Sequence, residues 1–137
     1  MTYNYTGSVR FSSGRQNRTL FELLADVKEI FAKGGFEDEV ADYGSFFFEE
    51  YNGGINMEIS DCVGGDWEDQ FRKCFSEMYA AGILCVGHIL YTGDYCGAYQ
   101  IIHERFSSFD EEEWTIHRAP TEKLLTELKR RGYSLSQ

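Results

Sequence analysis

The chain has 137 residues, of which 42% are hydrophobic, and 23 acidic against 13 basic side chains give it a formal net charge of −10. The length is typical of one domain, residues 1–137, and the composition is typical of a globular protein and excludes a disordered one. The negative charge disfavours direct binding to nucleic acid or to an anionic membrane, because both would be repelled.

The N-terminal part of the chain predicts a strand followed by a helix. Residues 3–11 alternate between two sets of side chains, which is the period of a half-buried strand. Thr19 and Glu22 have the spacing of a capping box, and the apolar residues that follow recur at helical intervals. Gly34-Gly35 is expected to end this helix.

The middle of the chain predicts a hairpin and a second helix. The strand-like segments 45–51 and 55–61 flank Asn52-Gly53-Gly54, a sequence typical of hairpin turns. A helix is then expected from Asp66 onwards, and it is expected to end at Gly82.

The C-terminal third predicts a second hairpin, a short strand and a final helix. The hairpin strands are expected at 83–92 and 98–106, and the short strand at 113–118. Pro120 begins the predicted final helix and Gly132 ends it.

The predicted order of elements is β-α-β-β-α-β-β-β-α. Its first six elements match the split βαβ pattern of a ferredoxin-like core, to which a hairpin strand, a further short strand and a C-terminal helix are added. We therefore expect an α+β domain with a mostly antiparallel sheet and helices on one face. A fold of this kind hosts many activities, so the function must be argued from a site.

The four cysteines do not form a metal-binding or redox motif. Cys62, Cys74, Cys85 and Cys96 are 11 or 12 positions apart and contain no C-x-x-C pair. The N-terminus lacks the basic and apolar regions of a secretory signal, so we expect a cytoplasmic protein with reduced thiols, two or three of them buried.

The acidic residues are concentrated in residues 36–69, where eleven acids occur without any Lys or Arg. Surfaces that only maintain solubility intersperse both signs, so this segment is the main candidate for binding a partner, although solubility alone is the alternative. The predicted partner-binding residues are its acids and two of its tyrosines: Glu37, Asp38, Glu39, Asp42, Glu49, Glu50, Glu58, Asp61, Asp66, Glu68, Asp69, Tyr43 and Tyr51. Carboxylates and aromatic rings together suit a partner rich in Arg and Lys.

Three consecutive phenylalanines, Phe46, Phe47 and Phe48, lie on the first strand of the predicted hairpin. Successive side chains of a strand point to opposite faces, so one of the three must face away from the other two. The sequence leaves two alternatives open: a strand covered on both faces, or a strand that contributes to an interface.

These features favour a small, non-enzymatic interaction protein that binds a basic, nucleic-acid-binding protein and inhibits it by mimicking nucleic acid. In charge and size the chain resembles small acidic inhibitors of phage origin, including anti-CRISPR proteins, and acidic immunity proteins against nuclease toxins. The resemblance is to a functional class and rests on no residue motif. We expect no cofactor, and either a monomer or a homodimer.

A second hypothesis is a ligand-binding module or enzyme that holds an anionic, nucleotide-like ligand beside the second hairpin. If His88 and His103 lie opposite each other there, they could share a metal ion, but no H-x-H or C-x-x-C spacing supports a metal site. Cys96 is the thiol that looks most exposed, and the neighbouring Asp94 opposes its ionisation. The residues of this alternative ligand site are Arg10, Arg15, Arg18, His88, His103, Tyr99 and Arg105.

Overall fold

A computed structural model describes residues 2–14, 16–118 and 130 and shows an α+β protein. The strands are β1 (Tyr3–Ser12), β2 (Phe46–Tyr51), β3 (Gly54–Gly64), β4 (Leu84–Thr92), β5 (Gly97–Ile102) and β6 (Arg105–Asp110). The helices are α1 (Leu20–Phe31), α2 (Glu37–Val40), α3 (Glu68–Ala80) and α4 (Glu111–Arg118), and a π-helical turn (Ala32–Phe36) joins α1 to α2.

The six strands form one open sheet in the order β2-β3-β1-β4-β5-β6, and every neighbouring pair is antiparallel. The alternation predicted for β1 is confirmed, because Tyr3, Tyr5, Val9 and Phe11 are buried on one face while Thr6 on the other is exposed. This order leaves β2 and β6 as the two edge strands.

Helices α1 and α3 pack on the buried face of the sheet. The predicted capping box of α1 is confirmed: the Glu22 amide donates to Thr19 Oγ1, and the Thr19 amide donates to Glu22 Oε1. Leu23, Val27 and Phe31 recur at four-residue intervals and form the buried stripe of α1. Helix α3 buries Phe71, Cys74, Phe75 and Met78 in the same way.

An aromatic cluster holds β2 against these helices. The ring of Phe46 lies 5.6 Å from that of Phe31, 5.4 Å from that of Phe36 and 6.3 Å from that of Phe71, measured between centroids. Because Phe46 is buried in this cluster, the pleat of the strand turns Phe47 to the opposite face, where it is 62% exposed.

The single strand predicted over 98–106 is wrong, because the chain turns back at His103 and Glu104 to form β5 and β6. His103 adopts a φ of 56°, and Ile102 and Arg105 pair on either side of the turn. Two-residue turns of this kind usually carry Asn or Gly, so the sequence has no local signal for this one.

The strand predicted at 113–118 is also wrong, because these residues belong to α4. The Glu113 amide donates to Asp110 Oδ1 at 2.7 Å, and the Asp110 amide donates to Glu113 Oε1 at 3.2 Å. This reciprocal pair is a capping box that begins the helix and satisfies two amides without intrahelical partners. The run of four acids at 110–113 is therefore a helix start.

The final helix predicted from Pro120 to Gly132 lies outside the described residues except for residue 130, and Arg15 also lies outside them. Within the described ranges, no helix is both long enough and apolar enough to cross a bilayer.

Candidate protein-binding surface

Edge strand β2 is positioned by a tight hairpin. Tyr51 and Gly54 pair across the two-residue turn, in which Asn52 has a φ of 48° and Gly53 a φ of 75°. Both values are left-handed, as a type I′ turn requires, and this explains the Asn-Gly sequence. The Arg10 guanidinium donates to the carbonyl oxygens of Tyr51 and Asn52, both at 2.7 Å, and thereby ties the turn to β1.

A groove of about 460 Å³ runs along β2 on the side of the helices. It lies between the strand, α1 and the loop that follows α2. Lys28 Nζ lies 5.6 Å from the centroid of the Phe48 ring, and Asp42 also lines the groove, so its apolar side chains are accompanied by one charge of each sign. Its lining residues are Leu24, Lys28, Val40, Ala41, Asp42, Tyr43, Gly44, Phe46, Phe47 and Phe48.

The other side of β2 carries exposed acids and aromatic rings. Phe47 pairs with Glu58 of β3, and Glu49 pairs with Asn56, so these side chains share the face that the helices leave uncovered. Glu58 accepts a hydrogen bond from Ser8 Oγ at 3.1 Å. Tyr51, at the end of the strand, is 58% exposed.

Helix α2 brings further acids to the beginning of β2. Glu37 and Asp38 are exposed, and the side chain of Glu39 is half-buried. Burial raises the pKa of Glu39. Burial also raises the pKa of the Cys62 thiol, and the charge of Glu39 raises it further. The exposed acids of α2 and of β2 thus surround the same strand edge.

Tyr43 is the most exposed large hydrophobic side chain among the described residues, and its backbone has a φ of 66°. A bulky residue with a left-handed backbone is uncommon and carries strain, because its Cβ approaches the neighbouring carbonyl oxygen. The following Gly44 leaves no room for a Cβ, which would lie 2.3 Å from the Glu39 carbonyl oxygen. The loop therefore holds Tyr43 outward at the mouth of the groove.

Part of segment 36–69 lies away from β2. Glu68 Oε1 accepts a hydrogen bond from Ser108 Oγ, which belongs to the opposite edge strand β6. Five strand spacings separate the two edges, a distance of about 24 Å. Asp66 bonds the Glu68 amide at the start of α3, and Asp61 lies in a bulge of β3 with a φ of 48°. The eleven acids therefore form more than one group, and those nearest β2 are Glu37, Asp38, Glu39, Asp42, Glu49, Glu50 and Glu58.

Two described arginines of the alternative ligand site, Arg10 and Arg18, are engaged away from the second hairpin. Arg10 contacts the β2–β3 turn, as described above. Arg18 forms an ion pair with Asp26 at 2.9 Å and donates to the Ala81 carbonyl oxygen. Both side chains are therefore engaged in holding the fold together. Arg105 is exposed on β6.

The two histidines of that site do not oppose each other. His88 pairs with Gln100 across β4 and β5, whereas the His103 amide donates to the Cys85 carbonyl oxygen, three positions away from His88. Tyr99 is buried on the other face of the sheet, beneath the helices. Among the residues that the structure describes, no group of three or more His, Cys, Asp or Glu side chains could hold a metal ion.

Instead, His88 belongs to a cluster of aromatic and histidine rings under α4 that the sequence did not predict. The rings of His88 and Trp114 lie 5.7 Å apart, and His117 stacks on Phe109 at 4.6 Å. His117 Nε2 lies 2.9 Å from Gln100 Oε1. The signal that could have found the cluster is the capping box before α4, together with the helical spacing of Trp114 and His117.

Three of the four thiols are in the core, as expected. Cys62, Cys74 and Cys85 are buried, and burial raises the pKa of Cys74 and of Cys85 to about 12. Such thiols remain protonated and unreactive at neutral pH. Cys96 is half-buried beside Trp114 in a second cavity, of about 230 Å³.

Comparison with known proteins supplies no relative. No protein-family model, curated protein or solved structure matches this chain. The β2 edge combines exposed rings, exposed carboxylates and an open groove at one strand.

Proposed function

We propose that the protein is a non-enzymatic binding protein whose partner presents a basic surface to the β2 edge. The observation that carries the proposal is the arrangement around β2, where exposed Glu49 and Glu58 share a face with exposed Phe47 and Tyr51. Exposed Glu50 lies on the opposite face of the same edge strand, because it pairs with buried Ile55. A surface of this composition binds Arg and Lys side chains by charge-assisted hydrogen bonds and by cation–π contacts.

The two kinds of side chain contribute differently. Exposed ion pairs contribute about 0–1 kcal/mol each, so the carboxylates mainly select a basic partner and accelerate its approach. Buried aromatic anchors at an interface are worth about 2 kcal/mol or more, so Phe47, Tyr43 and Tyr51 supply most of the binding energy.

The partner best suited to this surface is a nucleic-acid-binding protein in the cytoplasm. Its basic groove normally binds phosphates, and carboxylates occupying the groove would compete with them. The protein would then act as an inhibitor of the phage anti-defence, anti-CRISPR-like or immunity-protein-like type, as a monomer or a homodimer.

We also propose that the first six major elements form a ferredoxin-like, split βαβ core. The support is the order β2-β3-β1-β4, in which antiparallel β3 separates β1 from β2 and antiparallel β1 separates β3 from β4. Strands β5 and β6 extend this core at the β4 side.

The function is tested by two triple variants with equal changes in net charge. Glu49→Gln/Glu50→Gln/Glu58→Gln neutralises the β2 edge, and Asp94→Asn/Glu104→Gln/Glu111→Gln neutralises exposed acids elsewhere. Each immobilised protein captures partners from a cell lysate for mass spectrometry. Captured proteins are then purified, and their affinities for the variants and for a fluorescent DNA duplex are measured.

We expect the wild type and the second variant to bind the same basic protein and to displace the duplex from it. The β2-edge variant should bind that protein at least tenfold more weakly, a loss of about 1.4 kcal/mol. Equal affinity of both variants, or capture of no nucleic-acid-binding protein by the wild type, would contradict the proposal.

A further inference from the structure

The backbone of β2 exposes hydrogen-bonding groups along its free edge. In a hairpin with a two-residue turn, the residues that flank the turn exchange hydrogen bonds with each other, which here are Tyr51 and Gly54. Bonded pairs then alternate along the ladder, so Phe47, Glu49 and Tyr51 direct their amides and carbonyls to β3. Phe48 and Glu50 direct theirs away from the sheet.

The two sides of this edge differ in chemistry. On the helix side, an added strand would place side chains in the groove beside Leu24, Val40 and Phe48. Lys28 and Asp42 also line this groove, and Glu50 lies on the same side nearer the hairpin turn. On the other side, its side chains would meet Glu49 and Phe47. An extended segment with apolar and basic residues in alternation would match the apolar part of the groove on one side and Glu49 on the other, because successive side chains of a strand point to opposite faces.

We infer that β2 binds such a segment as a seventh strand: an extended, Lys/Arg-containing stretch of the partner, hydrogen-bonded to the backbones of Phe48 and Glu50. This inference rests on the proposed function and adds the mode of binding. Main-chain hydrogen bonds provide affinity in strand addition, and the alternating side chains provide specificity.

The charge of the β2 edge favours a basic segment over a second copy of the chain as the added strand. Pairing of β2 with β2 would bring together two edges that each carry Glu49 and Glu50, beside the acids of α2. A basic segment replaces that repulsion with attraction.

The probe for the test is the blocked peptide acetyl-Lys-Val-Arg-Val-Lys-Val-amide at millimolar concentration, with acetyl-Lys-Lys-Arg-Val-Val-Val-amide as its charge-matched control. Amide hydrogen exchange of the whole protein is followed by NMR. With the alternating peptide we expect exchange to slow at least fivefold at Phe48 and Glu50, and to stay unchanged at Phe47 and Glu49, which already bond to β3. The control peptide should protect these amides less.

Two variants of Glu50 distinguish the contribution of its backbone hydrogen bond to peptide binding from that of its charge. Glu50→Pro removes the outward amide and the carboxylate while sparing the ladder to β3, because Pro is tolerated on an edge strand where its nitrogen faces solvent. Glu50→Gln removes only the carboxylate. We expect Glu50→Pro to weaken peptide binding several-fold more than Glu50→Gln, with equal thermal midpoints confirming that both variants fold.

Other outcomes would overturn strand addition. Equal protection by both peptides, or equal binding by both Glu50 variants, would show simple charge attraction and would leave the proposed function standing. If neither peptide changes amide exchange on β2, the acids only prevent the edge from pairing with another strand. Slow exchange at Phe48 and Glu50 in the free protein would show that the edge is already covered, by a second copy if the protection depends on protein concentration.

Discussion

Tyr43 shows at the scale of a single residue how a strained backbone can carry an exposed side chain. Its ring has no contact that would stabilise the fold, since it is fully exposed, and its backbone is left-handed. Backbone strain at an exposed residue can be retained where the residue has a function, and the proposed function gives Tyr43 contact with a partner.

We predict that Tyr43→Asn stabilises the fold by about 0.5–1 kcal/mol, because Asn tolerates the left-handed backbone better than a bulky residue does. Urea unfolding measures this change. The same variant should weaken binding to the basic partner, whereas Tyr79→Asn, which alters an exposed ring on α3, should leave binding unchanged. A Tyr43→Asn protein that is less stable than the wild type would show that the left-handed backbone carries no strain.

Helix α4 shows at the scale of an element how a short polar pattern decides between strand and helix. Residues 113–118 contain β-branched and aromatic side chains, which favour a strand. The reciprocal bonds between Asp110 and Glu113 begin a helix instead, and α4 then buries Trp114 against the sheet. The cap provides hydrogen-bond acceptors for amides at the start of the helix, which have no partner within the helix. The strand preference of the side chains provides no such acceptor.

We predict that Asp110→Ala destabilises α4 by about 1 kcal/mol, because it removes the acceptor for the Glu113 amide. Asp110→Asn should cost less, since Asn caps nearly as well as Asp. Hydrogen exchange of the α4 amides measures both variants. Identical exchange in the Ala and Asn variants would mean that the cap does not hold the helix.

At the scale of the whole molecule, the acids at the two ends of segment 36–69 lie in different parts of the fold. The acids of α2, β2 and β3 surround one sheet edge, whereas Asp66 and Glu68 lie near a cluster of tyrosines: Tyr3, Tyr5, Tyr91 and Tyr99. The Tyr5 hydroxyl donates to the Gly65 carbonyl oxygen at 2.7 Å and accepts from the Trp67 amide. Burial, followed by nearby carboxylates, raises the pKa of these phenols, and that of Tyr5 reaches about 12.

We predict that the free energy of unfolding falls as the pH rises from about 10 to 12. In the unfolded chain a tyrosine loses its proton near pH 10, whereas Tyr5 in the folded protein keeps its proton. The unfolded state therefore binds fewer protons than the folded state in this window. Raising the pH then stabilises the unfolded state relative to the folded state. Urea unfolding followed by circular dichroism measures the slope. Tyr5→Phe should make the slope shallower, and Tyr95→Phe, which changes an exposed tyrosine, is the control. An unchanged slope in Tyr5→Phe would contradict the prediction.

Most of the local structure could be predicted from the sequence. The alternation of β1, the capping box of α1 and the Asn52-Gly53 turn are confirmed, because each depends on residues that are neighbours in the chain. The turn at His103 carries no local signal, and the cap at Asp110 carries one that is hidden in a run of acids. Errors in the predicted second hairpin and short strand followed from these two positions.

The candidate site could be predicted only in its composition. The sequence by itself determined that residues 36–69 are acidic and aromatic, because these are properties of the residues alone. The tertiary structure decided that β2 is an edge, that Phe47 is exposed while Phe46 is buried, and that Glu68 lies beside β6. Strand order and helix packing bring together residues that are distant in the chain, so no pattern of sequence neighbours specifies which acids share a surface.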